Sequence, residues 1–138
     1  MDFRYLRQQD KTSAALGFNN VAVTAAVTGT AFDMTGFNCL TLFYEFTRVA
    51  GTGNLTFTVE AQNPETSTWI ALQSAEIATG VTTFTNQSFV EATGSASITG
   101  EIRLRDLNFR NMRIKSSLVT AASTDTLLIT AILGCGVG

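Results

Sequence analysis

The chemically reactive side chains of this 138-residue chain are few, and their types limit what it can catalyse. The sequence contains no histidine, so the most frequent general base and the most frequent metal ligand are both missing. Every Ser-His or Cys-His nucleophile pair is missing with them. These omissions exclude most hydrolase mechanisms, and we expect a protein that is not an enzyme.

Carboxylates, the other common acid–base groups, are few and do not cluster in the sequence. The six glutamates are scattered along the chain, no two of them in one predicted strand, and none stands beside a second acid in a distinctive motif. A glycosidase needs two carboxyl groups at a set separation, and a calcium loop needs clustered aspartates. Gly51-Thr52-Gly53 is too short a turn to hold a phosphate. We therefore expect no catalytic residues, no metal site and no cofactor.

Two cysteines, Cys39 and Cys135, are too few for a disulfide framework. The first twelve residues have no apolar run of the kind found in signal peptides, and no apolar stretch is long enough to span a membrane. We expect reduced thiols, synthesis in a host cytoplasm and no membrane partner. Cys39 fits a small core residue within a strand.

The charge composition argues against binding to nucleic acid. The formal net charge is -2, whereas proteins that neutralise phosphates carry many Lys and Arg side chains. Charged residues make up only 14% of the chain, against about 25% in typical domains. Twenty-two threonines supply much of the remaining polar surface, and threonine favours strands.

Alternation of apolar and polar residues predicts an all-β fold, because this period of two is typical of half-buried strands. Eight strands are predicted: Val21–Val27, Cys39–Thr47, Asn54–Gln62, Thr68–Gln73, Thr82–Glu91, Ala96–Arg105, Phe109–Ser117 and Asp125–Leu133. Two packed antiparallel sheets would bury their apolar faces, which favours a jelly-roll-like β-sandwich. An up-and-down barrel is the alternative, because periodicity does not fix strand order. Cys39–Thr47 has bulky apolar groups on both faces, so we expect it to be covered on both sides.

The first twenty residues do not match the strand pattern, which divides the chain into an N-terminal arm, 1-20, and a sandwich domain, 21-138. The arm begins with aromatic, aliphatic and guanidinium side chains of the kind enriched at interface centres. We predict that it binds a partner through Phe3, Arg4, Tyr5, Leu6 and Arg7. The alternative is that Phe3 and Leu6 pack on their own domain.

Positive charge is concentrated in two late predicted strands. Arg103, Arg105, Arg113 and Lys115 all fall on outward positions, so we predict that they form one basic, partner-binding face. The alternative is a solvated sheet face whose charges prevent strands from sticking together. The lone Trp69 offers a third surface, which could stack on a sugar in a carbohydrate-binding module, although a core-edge position is more usual.

Five segments together resemble the small β-sandwich proteins encoded in the structural gene clusters of tailed phages. They are FDMTGFNCLTLFYEF, GNLTFTVEAQ, STWIALQ, NMRIKSSLV and TLLITAILG, between about residues 30 and 134. This pattern is similar to the family of head decoration, or cement, proteins. The resemblance implies a trimer on the capsid surface of a virion that reinforces contacts between major capsid proteins. A tail, fibre or head-tail completion component is the alternative within the virion.

Overall fold

A computed structural model describes residues 8–49, 55–78, 81–86, 88–91, 97–118 and 125–135. Within these ranges most residues lie in strands, and there is one short helix. In order the elements are β1 (Gln8–Lys11), α1 (Ser13–Leu16), β2 (Val21–Ala22), β3 (Val27–Thr28), β4 (Phe32–Asp33), β5 (Cys39–Thr47), β6 (Leu55–Gln62), β7 (Trp69–Ala71), β8 (Gln73–Ala78), β9 (Val81–Asn86), β10 (Ser88–Glu91), β11 (Ile98–Leu104), β12 (Asn111–Leu118) and β13 (Thr126–Gly134).

Most of these strands form two antiparallel sheets. In sheet A the order is β1-β13-β5-β11, and β2 pairs with the beginning of β13 on the same edge as β1. In sheet B the order is β10-β6-β12-β3, with β4 continuing the edge of β3 and β7 continuing the edge of β10. Each sheet therefore has four strand positions. Short segments form both edges of sheet B and one edge of sheet A, whose other edge is the seven-residue strand β11.

The connectivity of these eight positions is that of a jelly roll. The first position (β1 and β2) pairs with the last, β13, and the second (β3 and β4) pairs with the second last, β12. The third, β5, pairs with β11, and the fourth, β6, pairs with the fifth (β7 and β10). One long antiparallel ribbon thus folds into two facing sheets, which confirms the predicted jelly-roll-like β-sandwich of about eight strands.

Alternate residues of the central strands fill the space between the sheets. Leu40, Leu42, Tyr44 and Phe46 of β5 are buried there, and the rings of Tyr44 and Phe57 meet across the core with centroids 5.1 Å apart. Burial of such side chains contributes about 1.5–3 kcal/mol each, so the alternation that marks the strands in the sequence also stabilises the sandwich.

The boundary of the arm at residue 20 is wrong, because residues 8–20 are part of the sandwich. β1 pairs with Ala131–Gly134, and Leu16 and Phe18 are fully buried in the core. The helix α1 lies between β1 and Phe18. The Thr12 side chain caps its N-terminus, and Gly17, with a positive φ of 79°, ends it. An edge strand reading QQDK has no apolar alternation, so periodicity cannot identify it.

Two predicted strands are divided in the structure. Val21–Val27 contributes β2 to sheet A and β3 to sheet B, because the chain crosses between the sheets within this segment. Thr82–Glu91 contributes most of β9, which pairs with β8 in a hairpin outside both sheets, and β10, which joins sheet B. Local alternation cannot show to which sheet each half belongs.

The expectation that β5 is covered on both faces is also wrong for the described residues. Its inward residues are buried, but Phe43 on the opposite face is 38% exposed. The sandwich therefore has an aromatic side chain at the centre of an outer sheet surface.

A buried ion pair closes one end of the sandwich. Arg48 follows β5, Asp125 precedes β13, and their Nη1 and Oδ2 atoms are 3.1 Å apart with side chains 1% and 0% exposed. The other carboxylate oxygen of Asp125 accepts a hydrogen bond from the Val49 N–H at 2.7 Å. The backbone N–H of Arg48 donates to Ser97 Oγ, just before β11, at 2.9 Å. One cluster therefore joins the ends of three strands.

We expect Asp125→Ala to lower the free energy of unfolding by about 3–5 kcal/mol, because the guanidinium of Arg48 would lose its buried counter-charge. Glu101→Ala is the matched control, since it removes the carboxylate of an exposed ion pair with Arg103 and should cost under about 1 kcal/mol. Urea unfolding followed by far-ultraviolet circular dichroism measures both. Equal effects would show that burial of the Asp125 pair does not matter to stability.

Candidate interaction surface

The four basic residues predicted to form one face do not lie together. Arg103 is on β11 in sheet A, and Arg105 follows directly after that strand, whereas Arg113 and Lys115 are on β12 in sheet B. The two strands are neighbours in the sequence, but the ribbon places consecutive strands in different sheets here. The prediction of a single basic face is therefore wrong, and two separate surfaces replace it.

Several polar groups on the outer surface of sheet B pair with one another. Arg113 Nε lies 2.7 Å from Glu60 Oε1, on the neighbouring strand directly opposite. On the same face, two residues away along each strand, the Asn111 side-chain amide donates to Gln62 Oε1 at 3.1 Å. Lys115 continues the same face of β12, opposite Thr58, and is half-buried. Cross-strand pairs of this kind stabilise a sheet and need no partner protein.

Trp69 belongs to this same network. The guanidinium carbon of Arg113 lies 4.3 Å from the centroid of the Trp69 ring, within the range of a cation–π interaction. One face of the indole is therefore covered by Arg113. This geometry favours a structural role for Trp69 over the stacking of a sugar.

The outer surface of sheet A has a different composition. Phe43 lies directly opposite Thr130 of β13 and Glu101 of β11, and Thr41 lies opposite Ile132 and Arg103. Leu128 extends the apolar side chains along β13, opposite Glu45. The result, here called the Phe43 face, is an apolar centre bordered by charge and formed by Thr41, Phe43, Glu45, Glu101, Arg103, Leu128, Thr130 and Ile132.

A groove of about 780 Å³ opens at one end of the Phe43 face. Its lining includes Gln8 of β1, Phe43 and Ile132 at the sheet centre, and Arg105 and Asp106 at the far side. Arg103 and Glu101 in its wall form an ion pair of 2.9 Å, with side chains 65% and 45% exposed. The groove thus combines apolar area with charges that remain accessible to water.

Both free cysteines also line this groove, which the sequence did not predict. Cys39 Sγ lies 3.3 Å from Asn38 Oδ1, and Cys135 Sγ donates to the Gly36 carbonyl at 3.0 Å. Both thiols are half-buried. Cys39 therefore lies on the outer side of β5 and not in the core, as the strand alternation around it requires.

A second exposed apolar area lies beside β7. Ile70 is 50% exposed and Phe109 is 39% exposed, and both line a cavity of about 430 Å³ with Pro64 and Leu72. None of the four basic residues singled out in the sequence lines this cavity. Phe109 matches Phe43 in type and exposure, so it provides a control for experiments on the Phe43 face.

Three further expectations from the sequence concern the first residues of the chain, metal binding and membrane spans. Phe3, Arg4, Tyr5, Leu6 and Arg7, predicted to bind a partner, lie outside the described residues. Among the residues that are described, no group of three or more potential ligands could hold a metal ion. No helix in the same ranges is long and apolar enough to cross a membrane.

The comparisons with known proteins give information on the fold alone. No protein-family model and no curated protein sequence matches the chain. Among solved structures, it is similar to the crystal structure of the SPBc2 prophage-derived protein YomS, with a TM-score of 0.54 and 13% sequence identity. The match covers 97% of this chain and 98% of that one. At this identity the likeness shows a shared fold along nearly the whole of both chains.

Trp69 is the sole tryptophan of the chain, so its fluorescence reports directly on the sheet B network. We expect Arg113→Ala to change the emission maximum and intensity, because the guanidinium over the ring is replaced by water. Arg103→Ala, on the outer surface of sheet A, should leave the emission unchanged. Equal changes in the two variants would contradict the separation of the basic residues onto two surfaces.

Proposed function

We propose that this chain is a structural protein of a phage particle, a decoration protein that binds the capsid surface and reinforces contacts between major capsid protein subunits. The observation that carries the proposal is the Phe43 face, an apolar sheet surface bordered by charges on a fold resembling a prophage-derived protein. The resemblance of five sequence segments to cement proteins supports the same assignment. The role is structural and not enzymatic.

The composition of the Phe43 face supports protein binding. Interfaces combine a desolvated apolar centre with a polar, solvent-accessible rim, and large aromatic side chains dominate their binding energy. Here Phe43, Leu128 and Ile132 form the centre, while Glu101 and Arg103 contribute the rim. Rim charges of both signs select partners through complementary charge more than they add affinity.

Attachment to a capsid also fits a surface of modest size. A decoration protein contacts a lattice of repeated subunits, so several weak contacts act together and give strong overall attachment. We propose a symmetric homo-oligomer, a trimer, as the unit that attaches, since closed symmetric assemblies match symmetric lattice points. Neither nucleic acid nor membrane is a partner in this proposal.

Another virion component is the second candidate, because the same Phe43 face would serve a tail, fibre or head-tail completion protein. The likeness to a prophage-derived protein along nearly the whole chain fits these roles equally well. The candidates differ in stoichiometry. A decoration protein covers the capsid in hundreds of copies, whereas a completion protein forms about one ring.

Quantitative mass spectrometry of particles purified from the producing cells tests the proposal. We expect the chain to be present in a fixed ratio to the major capsid protein, in hundreds of copies per particle. Absence from the particles would overturn the virion role. A copy number typical of a single ring would overturn decoration and support a completion protein.

Rebinding to particles that lack the chain tests the surface. We expect Phe43→Asp to abolish rebinding, because a carboxylate would replace the apolar centre, while Phe109→Asp should rebind like the unaltered protein. Circular dichroism and thermal melting establish that both variants are folded. The reverse result would transfer the docking surface from the Phe43 face to the area around Ile70 and Phe109.

A further inference from the structure

We propose that the open edge of sheet A pairs with the same edge of a second copy of this chain, so that two β11 strands run antiparallel around a two-fold axis at Ile102. The contact goes beyond the proposed function, because no virion component takes part in it. Three observations support it: backbone groups that face away from the sheet, apolar side chains along the edge, and charges that are complementary to themselves in one register.

Strand β11 is a long edge strand without the usual protection against pairing. It pairs with β5 along seven residues, and no described strand pairs with its other side. The other edges of the two sheets consist of segments of two to four residues. Natural edge strands are commonly protected by Lys, Pro or inward-pointing charges. Ile98–Leu104 contains neither Lys nor Pro, and its two charged residues are on the outer surface.

The backbone of β11 directs hydrogen-bonding groups to its open side. The Ile129 N–H donates to the Phe18 carbonyl, on the side of β13 that faces away from β5. Tyr44, opposite Ile129, therefore directs its own backbone groups to Gly100 of β11, because N–H and C=O directions alternate along paired antiparallel strands. By the same alternation, every second residue of β11 directs its N–H and C=O away from β5. These residues are Thr99, Glu101 and Arg103.

One register of two antiparallel β11 strands places opposite charges across the contact. With Ile102 opposite Ile102 of the second copy, Glu101 of each copy lies opposite Arg103 of the other, and these are residues whose backbone groups face the open edge. A register centred on Glu101 would oppose two carboxylates, which destabilises a strand pair. A register centred on Gly100 would oppose each charge to an uncharged residue. The charges therefore select the register centred on Ile102.

The ion pair that Glu101 already forms in its own copy is compatible with this register. Glu101 Oε1 lies 2.9 Å from Arg103 Nη2, and both side chains are largely exposed to water. In the contact, two carboxylates and two guanidinium groups would alternate around the two-fold axis, so neither pair within a copy has to break. Exposed ion pairs contribute little affinity. The charges thus determine the register, while the backbone hydrogen bonds and apolar contacts hold the strands together.

The inner side of the contact is apolar. Ile102 and Leu104 are half-buried and pack against the core at this edge. At the axis, Ile102 of one copy would contact Ile102 of the other. Leu104 would lie opposite Gly100 of the second copy, where the side chain of Tyr44 occupies the space above the glycine. A second β11 strand would therefore remove further apolar area from water.

This contact leaves the proposed docking surface open. Phe43, Leu128 and Ile132 lie on the outer surface of β5 and β13, and the side chains of Glu101 and Arg103 would remain beside them. Two copies would form one continuous sheet with two Phe43 faces side by side. A two-fold contact is isologous, so it does not build the proposed trimer and would instead join copies of two neighbouring trimers.

A single engineered thiol tests both the contact and its register. In a chain with Cys39→Ser and Cys135→Ser, Ile102→Cys would place two thiols opposite each other at the axis. We expect a disulfide-linked dimer on a non-reducing gel after incubation with oxidised glutathione, and any link must join two copies because each has one thiol. Thr99→Cys in the same background is the matched control. Thr99 is exposed, but its two copies would be about 20 Å apart in this register.

Two outcomes of the thiol experiment would overturn the proposal. Absence of the Ile102→Cys dimer would show that the edge does not meet its own copy, and equal linking of the Thr99→Cys control would show that random collision produces the links. Circular dichroism and thermal melting of the reduced proteins establish that the variants are folded. If Ile102→Cys melts early, Thr99→Cys combined with Arg105→Cys gives the same readout, since these two exposed residues lie opposite each other across the contact.

Exchange of charge provides a second test with the same readout. Glu101→Arg alone opposes guanidinium groups across the contact, and Arg103→Glu alone opposes carboxylates. In the Ile102→Cys chain we expect each change to lose the linked dimer, whereas a mixture of the two restores opposite charges and should link one chain of each kind, identified by mass. Equal linking of the separate variants and the mixture would contradict the register. Both experiments use purified chain alone, so their outcomes are separate from those of the proposed function.

Discussion

The buried ion pair of Arg48 and Asp125 is the constraint on which the arrangement of sheet A depends. Alternation of apolar residues leaves the register of β13 on β5 open to shifts of two residues, since such shifts keep the same side chains facing the core. A shift of this size would separate Arg48 from Asp125 and leave buried charges without a partner, at a cost of several kcal/mol. The pair therefore selects the register that places Thr130 opposite Phe43 on the outer surface of sheet A.

The same cluster connects the core to the edges of the sheet. The Val23 N–H donates to the Asp125 carbonyl at 3.3 Å, which holds the end of β2 beside β13, and Ser97 holds the start of β11. Further along the same edge of β13, the Ile129 N–H donates to the Phe18 carbonyl at 3.1 Å. These bonds hold β2 and the residues before it against β13, in addition to the burial of Phe18 and Val23 in the core.

The sequence predicts correctly the strands whose alternating apolar residues are buried in the core. It fails for segments whose position depends on pairing with distant parts of the chain. β5 has the predicted bounds, Cys39–Thr47, because every second residue is large and apolar. The division of Val21–Val27 between two sheets and the pairing of Gln8–Lys11 depend on long-range contacts that local patterns do not contain. The separation of Arg103 from Arg113 has the same origin, since the outward position of each was right and only the topology places them on different sheets.

The two outer surfaces show why residue type alone does not identify an interface. Trp69 and Arg113 have the composition of a binding surface, yet Arg113 contacts both Trp69 and Glu60 within sheet B. Phe43 has no comparable aromatic or cationic neighbour directly opposite, because its cross-strand partners are Thr130 and Glu101. A strand pattern with bulky groups on both faces, as in β5, predicts cover on both sides. Among the described residues of this chain that cover is missing, so Phe43 stays exposed on the outer surface of sheet A although the pattern of β5 is that of a strand covered on both sides.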